Sequence, residues 1–181
     1  MKLFINDSFY ISDISQGDQV AYIEHLKEKE IYDNTLAIPF PYTTEDADWW
    51  VNHNIEAIKN QGGRSTNWAI RRSEDAYLVG GIGFLGLQIG KTHKCELGYW
   101  LAKPYWGQNI MTEAVKKACE YAFREFGLIR ITANVFHFNK RSAKVLEKAG
   151  FQCEGLLRKN YRKDGQIFDG KLYSLIKDER A

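Results

Sequence analysis

The sequence predicts an α/β (α+β) fold, with a mixed and mostly antiparallel central sheet that carries helices on both faces. Segments of strand-like alternation, separated by polar turns, fill the middle of the chain. A strongly amphipathic helical stripe follows them, and two further alternating segments near the end flank Asp164-Gly165, a hairpin signal. Strand and helix signals therefore interleave, as expected when helices cover a sheet.

In the first third of the chain the pattern predicts two helices. The first runs from Ser15 to Lys29 with Val20, Ile23 and Leu26 facing inward. The prolines between Ile38 and Tyr42 interrupt helical geometry. Thr44 then caps a second helix, from about Glu45 to Gln61. Its expected inward face contains Ala47, Trp50, Val51, Asn54 and Ile58.

Three strands are expected next, as an antiparallel meander over Asn67 to Arg72, Tyr77 to Gln88 and Lys94 to Ala102. The amphipathic helix then runs from about Met111 to Phe126 and ends at Gly127. We expect the rest of the chain to form a strand, a short helix and a hairpin. These elements are Leu128 to Phe138 with Ile129, Ile131, Ala133 and Val135 on one face, Lys140 to Ala149, and Phe151 to Tyr161 paired with Gln166 to Lys177.

Composition limits the classes of protein to which the chain can belong. With 181 residues and 44% hydrophobic content, residues 1–181 are expected to form a single domain. A formal net charge of +2 is too small to favour nucleic acid or an anionic membrane as partner. The chain has no apolar run suited to a signal peptide or a membrane span, so we expect a soluble, cytoplasmic protein.

The residues that commonly bind metals do not form a metal-site pattern. Cys95, Cys119 and Cys153 lack CxxC spacing, and the four histidines show no H-E-x-x-H arrangement. We therefore expect free thiols and no bound metal.

The segment from Trp106 to Thr112 is the first that suggests chemistry. It is a turn that leads directly into the amphipathic helix. The start of a helix offers main-chain N–H groups without intrahelical partners and the positive end of the helix dipole, which together bind phosphate groups. We expect a pyrophosphate to bind there.

Several segments together resemble the GNAT N-acetyltransferases, and in particular their Rim-type branch. The Trp106 turn is similar to the family's R/Q-x-x-G-x-G/A loop, with Trp106, Asn109 and Met111 in place of Arg or Gln, Gly, and Gly or Ala. The segment Asn139-Lys140-Arg141-Ser142, followed by a helix that ends at Gly150-Phe151, resembles its N-x-x-S motif. The Rim-type resemblance also includes Glu96-Leu97-Gly98-Tyr99-Trp100-Leu101 and Ile38 to Thr43.

The resemblance implies acetyl-CoA as co-substrate and an amine as acceptor. It also implies a splay between the fourth and fifth strands of the family fold, with the pantetheine bonded there like an added strand. The expected cofactor contacts are Leu97, Gly98, Tyr99, Trp100, Leu101, Trp106, Gly107, Gln108, Asn109, Ile110, Met111, Thr112, Asn134, Asn139, Lys140, Ser142 and Lys148. Lys103, Arg141 and Lys144 add positive charge around this region, or form a solvated basic surface.

For catalysis, the first choice of general base is Glu96, which would deprotonate the incoming ammonium, although a carboxylate on a strand also fits an ordinary salt bridge. Ser142 either donates a hydrogen bond to the departing sulfur, as the resemblance implies, or caps its helix. Tyr161 is an alternative acid, or a packed tyrosine. Tyr42 and Trp50 either line the acceptor site or belong to the core.

The sequence leaves the identity of the acceptor amine open. A protein N-terminal amine is the leading hypothesis, followed by a polyamine or an aminoglycoside-type amine. The substitutions in the Trp106 turn also allow a non-catalytic coenzyme A-binding module. Nucleotide binding is disfavoured because the chain lacks a P-loop motif. The family resemblance makes a homodimer a reasonable expectation.

Overall fold

The computed structural model describes residues 1–177 and divides into two compact units. The first unit comprises residues 1–83 and 99–110, and the second comprises residues 84–98 and those from 111 on. Elements up to the fourth strand are β1 (Lys2–Phe4), β2 (Phe9–Asp13), α1 (Gln19–Leu26), α2 (Lys29–Asp33), α3 (Thr44–Asn60), β3 (Asn67–Arg72) and β4 (Leu78–Leu85). The remaining elements are β5 (Lys94–Leu101), a 3-10 turn (Lys103–Tyr105), α4 (Ile110–Glu125), β6 (Arg130–Phe136), α5 (Lys140–Lys148), β7 (Gln152–Lys163) and β8 (Gln166–Ile176).

In the first unit, the strands pair antiparallel in the order β1-β2-β3-β4. Strands β1 and β2 were missing from the sequence prediction. In β2, Tyr10 and Ile11 are consecutive and both buried, so this strand shows no alternation of exposed and buried residues.

The predicted helix from Ser15 to Lys29 is wrong in extent, since the chain forms two shorter helices there. Gly17 has φ 95°, and the Asp18 carboxylate accepts a hydrogen bond from the Ser15 N–H at 2.8 Å, so the chain turns before α1 begins. An extended Glu28 separates α1 from α2. Val20 is 66% exposed rather than inward, and the buried residues of α1 are Ala21, Tyr22 and Leu26.

Helix α3 forms as expected, but its cap is Thr43 rather than Thr44. The Thr43 hydroxyl accepts from the Asp46 N–H at 3.2 Å, and the Asp46 carboxylate accepts from the Thr43 N–H at 2.9 Å, which completes a capping box. Ala47, Val51 and Asn54 are buried on the predicted face.

Arg71 of β3 forms a buried polar centre in the first unit. Its guanidinium donates to both carboxylate oxygens of Asp18 at 2.7 Å, and the two side chains are only 8% and 7% exposed. It also donates to the Ser12 hydroxyl at 2.8 Å and to the Asp13 carbonyl at 3.2 Å. One side chain therefore joins β3, the end of β2 and the turn before α1.

In the second unit the strand order is β5-β6-β8-β7, with β5 and β6 parallel and the other pairs antiparallel. Asp164 and Gly165 have φ values of 49° and 75°, which confirms the hairpin expected at this dipeptide. With both units, the predicted mixed and mostly antiparallel α/β fold is confirmed.

Side chains of β6 alternate between two environments. Ile131, Ala133 and Val135 are 0%, 2% and 6% exposed and belong to the core. Ile129, which was expected on the same face, is 54% exposed because the strand begins only at Arg130. Thr132, Asn134 and Phe136 project from the opposite face, as the period of two requires.

The three thiols are free, and they differ in reactivity because they differ in burial. Cys95 and Cys119 are buried whereas Cys153 is exposed, and burial raises the pKa of Cys95 to about 12 and also raises that of Cys119. We expect iodoacetamide at pH 8 to alkylate Cys153 alone in the folded protein, as read by peptide mass spectrometry. Cys153→Ser should then take up no label until denaturant is added. Rapid native labelling of Cys95 or Cys119 would contradict this prediction.

Candidate active site

The strands β5 and β6 pair over a short stretch and then separate. Their ladder contains Lys94↔Arg130, Cys95↔Ile131 and Glu96↔Thr132, and the Thr132 hydroxyl donates to the Cys95 carbonyl at 3.2 Å. Beyond these pairs, β5 continues through Leu97 and Gly98, while β6 continues to Phe136 along β8. The splay that the resemblance implies between the family's fourth and fifth strands is therefore present here between β5 and β6. Glu96 lies at its closed end.

Glu96 and Tyr161 lie near each other in the second unit. Burial, followed by the charge of the Glu96 carboxylate, raises the pKa of the Tyr161 hydroxyl, while a hydrogen bond with Asn160 partly opposes the shift. Tyr161 covers Gly170 so closely that a Cβ there would lie 2.6 Å from the ring, and its ring centroid is 4.7 Å from that of Phe136. The candidate base and the alternative acid are thus in one place.

Phe136, which packs on Tyr161, belongs to a cluster of three phenylalanines that the sequence analysis did not select. The Phe136 ring lies 5.1 Å from Phe138 and 5.7 Å from Phe168, and the latter two are 5.5 Å apart. Phe138 is 41% exposed. The spacing of Phe136 and Phe138, two residues apart at a strand end, was the available signal. Tyr161 therefore lies at the edge of an aromatic cluster, which it contacts through Phe136.

The side chain of Asn134 has a buried oxygen atom that lacks a hydrogen-bond partner within residues 1–177. Its Oδ1 is shielded from solvent and has no hydrogen-bond partner within residues 1–177. The residue lies on β6, opposite Leu172 of β8 and two positions beyond Thr132, where the splay has begun. An unpaired buried carbonyl oxygen suits a ligand that brings an N–H group, such as a pantetheine amide or an amine.

At the start of α5, Asn139 performs the capping role that was open for Ser142. The Asn139 Oδ1 accepts from the Ser142 N–H at 3.0 Å. Ser142 is half-buried in the first turn, whereas Lys140 and Lys148 are exposed at the two ends of this helix. Since the Asn139 side chain satisfies this main-chain donor, the cap does not require the Ser142 hydroxyl.

The Trp106 turn has the backbone conformation that phosphate loops need. Gly107 has φ 76° and Asn109 has φ 62°, so Asn109 adopts the positive φ expected of a residue that replaces glycine. The Gln108 amide donates to the Pro104 carbonyl at 2.9 Å, and residues 107–109 are exposed. These exposed residues precede Ile110, where α4 begins.

The unusual residues of this turn have structural explanations. The Trp106 indole donates to the Leu101 carbonyl at 2.6 Å and so fixes the turn to the end of β5. Met111 and Thr112 are only 6% and 3% exposed in the first turn of α4, so the bulk of Met111 is directed into the protein interior.

Lys103 does not belong with the exposed lysines of α5, because it is already paired. Its ammonium lies 3.1 Å from Glu30 and 3.4 Å from Glu28, and hydrogen bonds to these carboxylates, first to Glu30, raise its pKa. Two nearby carboxylates make it a poor site for a phosphate.

Tyr42 and Trp50 are half-buried against the hydrophobic cluster of the first unit, which includes Tyr22 and Val51. Burial and, to a lesser extent, the Asp46 charge raise the pKa of Tyr42 to about 12, and Trp50 hydrogen-bonds Tyr22. These contacts favour the core interpretation over acceptor binding for both residues.

Residues 1–177 contain neither a cluster of metal-binding side chains nor a membrane-spanning helix. Within that range, His, Cys, Asp and Glu side chains do not gather in threes in a way that could hold a metal ion. No helix in the same range is both long and apolar enough to cross a bilayer.

Known proteins that resemble this chain belong to one functional group, the N-acetyltransferases. The profile of the acetyltransferase (GNAT) domain matches residues 9–152. The uncharacterised N-acetyltransferase p20 of Bacillus licheniformis is 34% identical over 181 residues, which cover 100% of this chain and 99% of that protein. The [ribosomal protein uS5]-alanine N-acetyltransferase of Escherichia coli K12 is 34% identical over 98 residues, 54% of this chain and 48% of that enzyme.

This chain matches other N-acetyltransferases over part of their sequences and solved acetyltransferase structures over nearly its whole fold. The matches with two Bacillus subtilis N-acetyltransferases span 64% and 61% of those proteins. Among solved structures, RimL, a ribosomal L7/L12 α-N-protein acetyltransferase in complex with coenzyme A, has a TM-score of 0.84 at 16% identity. That match covers 97% of this chain and 98% of RimL, and at this identity it supports the fold alone.

Proposed function

Because the chain belongs to the acetyltransferase (GNAT) family, we propose that it transfers the acetyl group of acetyl-CoA to the α-amine of a protein N-terminus. The observation that carries acetyl transfer to an amine is the position of Glu96, beside Tyr161 at the closed end of the β5–β6 splay. A carboxylate there has the chemistry that an acceptor ammonium needs, since the amine must lose a proton before it attacks.

Acetyl-CoA supplies an activated thioester, so the protein needs chiefly to position the acceptor and manage protons. Glu96 takes a proton from the acceptor ammonium, directly or through one water molecule. The half-buried Ser142, whose main-chain N–H already bonds Asn139, donates a hydrogen bond from its hydroxyl to the departing sulfur. Tyr161 is the alternative donor, and burial beside Glu96 keeps its hydroxyl protonated at neutral pH.

The residues proposed to hold coenzyme A fall into two groups. Main-chain groups of Leu97 and Gly98, past the last β5–β6 pair, are suited to the amides of the pantetheine. The exposed turn residues 107–109, with positive φ at Gly107 and Asn109, are suited to the pyrophosphate. Each group fits one part of the cofactor by its own local geometry.

The choice of a protein α-amine rests on the relatives. The uS5-alanine N-acetyltransferase is 34% identical to this chain over 98 residues, and its name specifies an alanine of ribosomal protein uS5. That segment is 54% of this chain. The acceptor is therefore the part of the proposal that most needs a direct experiment.

An acetyl-CoA consumption assay tests the proposed function. The panel contains peptides with a free N-terminal alanine or serine, spermidine and kanamycin, and thiol release is measured at equal amine concentrations. The matched control is each peptide with an acetylated N-terminus and the same internal lysines. We expect turnover with free peptides only. Preferred turnover of spermidine or kanamycin would refute the protein acceptor, and silence across the panel with intact coenzyme A binding would favour a sensor module.

A further inference from the structure

The unpaired Oδ1 of Asn134 marks a functional position that the fold itself does not require. Native proteins satisfy nearly all buried polar atoms, because leaving one without a partner opposes folding. This atom is buried and has no partner within residues 1–177. A donor that arrives with a ligand would satisfy it.

The strand register places Asn134 on the same face as Glu96. Glu96 pairs with Thr132 in the parallel ladder, so their side chains project to one side, and Asn134 follows Thr132 by two residues. Phe136, two residues further along, contacts Tyr161, whose pKa the Glu96 carboxylate raises. Asn134 thus lies between two residues of the Glu96 environment.

We infer that Asn134 binds the attacking amine through Oδ1, an inference that rests on the proposed function. The acceptor ammonium gives one proton to Glu96 and donates a second N–H to Asn134 Oδ1. This hydrogen bond fixes the direction of the nitrogen lone pair, which then forms the new N–C bond as the C–S bond of the thioester breaks. Once the N–C bond has formed, the nitrogen loses its second proton and the departing thiolate takes up a proton, so the ammonium and the thioester give the amide, the free thiol and one proton held by Glu96.

A pantetheine amide is the other possible source of an N–H group, because the family resemblance implies that Asn134 contacts the cofactor. The geometry favours the amine. An added strand in the splay bonds main-chain groups in the plane of the sheet, whereas the Asn134 side chain projects out of that plane on the side of Glu96. The base must act on the amine, so the amine has to approach that same side.

The test is Asn134→Leu, which keeps the approximate size of the side chain and removes its carbonyl. Without ligands, its Tm is expected to exceed that of the parent by roughly 2–4 °C, since a buried group without a partner is lost. With the preferred amine, kcat/KM for the acceptor should fall about 10- to 100-fold. The Kd of coenzyme A by calorimetry should stay within about twofold, because the cofactor does not use this atom. Asn60→Leu, the same change at an exposed residue of α3, is the matched control.

Each contrary result has a distinct meaning. A lowered Tm for Asn134→Leu would show that the carbonyl has a structural partner and would overturn the inference. A weakened coenzyme A Kd with unchanged acceptor kcat/KM would assign the atom to the cofactor and also overturn it, while leaving the proposed function intact. An inactive parent protein would instead remove the proposed function, and this inference with it.

Discussion

Replacing Glu96 with glutamine will lower kcat for amine acetylation by roughly 10²- to 10⁴-fold, the usual contribution of a general base. The change preserves the size of the side chain and its place opposite Thr132, but it removes the group that accepts the proton. The affinity for coenzyme A, measured by calorimetry, should stay within about twofold of the parent, because proton acceptance plays no part in cofactor binding. Lost turnover with retained binding is the signature of a base rather than of a misfolded protein.

Two control variants make the Glu96 result specific. Glu120→Gln makes the same change at an exposed position of α4 and should leave kcat unaltered. Tyr161→Phe keeps the ring that packs on Phe136 and Gly170 but removes its hydroxyl, so it tests the alternative acid. If Glu96→Gln keeps kcat within about threefold while Tyr161→Phe abolishes it, the assignment of the base is wrong.

Replacing Arg71 with methionine is expected to have the largest effect on stability. Removing one partner of a buried ion pair typically costs about 3–5 kcal/mol, because the other charge stays buried without compensation. Here that charge is Asp18, whose two carboxylate oxygens each receive a 2.7 Å hydrogen bond from Arg71. For a chain of this length, the free-energy loss corresponds to a Tm lower by roughly 6–20 °C, measurable by calorimetry or circular dichroism.

The neighbouring residue supplies the control for Arg71. Arg72→Met removes an arginine whose ion pairs with Glu74 and Asp75 are at the surface, so it should lower Tm far less than Arg71→Met does. The double variant Arg71→Met/Asp18→Asn should recover part of the lost stability, since the buried charge is then gone. If Arg71→Met and Arg72→Met unfold at the same temperature, the buried polar centre around Arg71 contributes less to stability than its geometry indicates.

Elements with strong periodic signals were predictable from the sequence. Helix α4 and the hairpin at Asp164-Gly165 match their predictions because a single face or a required positive φ determines each of them. Helix α1 was placed incorrectly because Gly17 and the side chain of Asp18 end the regular pattern before Gln19. Strand β2 was missed because a central strand buries both faces and leaves no alternation to detect.

The candidate site was predictable only in part. The Trp106 turn was predictable because its backbone conformation depends on local residues, and Asn109 has the positive φ expected at its position. Glu96 and Tyr161 lie near each other on strands that are distant in sequence, so no local pattern reveals their proximity. The missing partner of Asn134 Oδ1 is likewise a property of the packed structure and not of the sequence.

The alternation along β6 has a consequence for how such a protein can change over time. Ile131, Ala133 and Val135 sustain the core, whereas Thr132, Asn134 and Phe136 face the Glu96 side. Mutations at the even-numbered positions therefore change the surroundings of Glu96, while the odd-numbered residues continue to secure folding. Under the proposed function, one short strand would thus let new acceptor specificities arise by divergence on an unaltered scaffold.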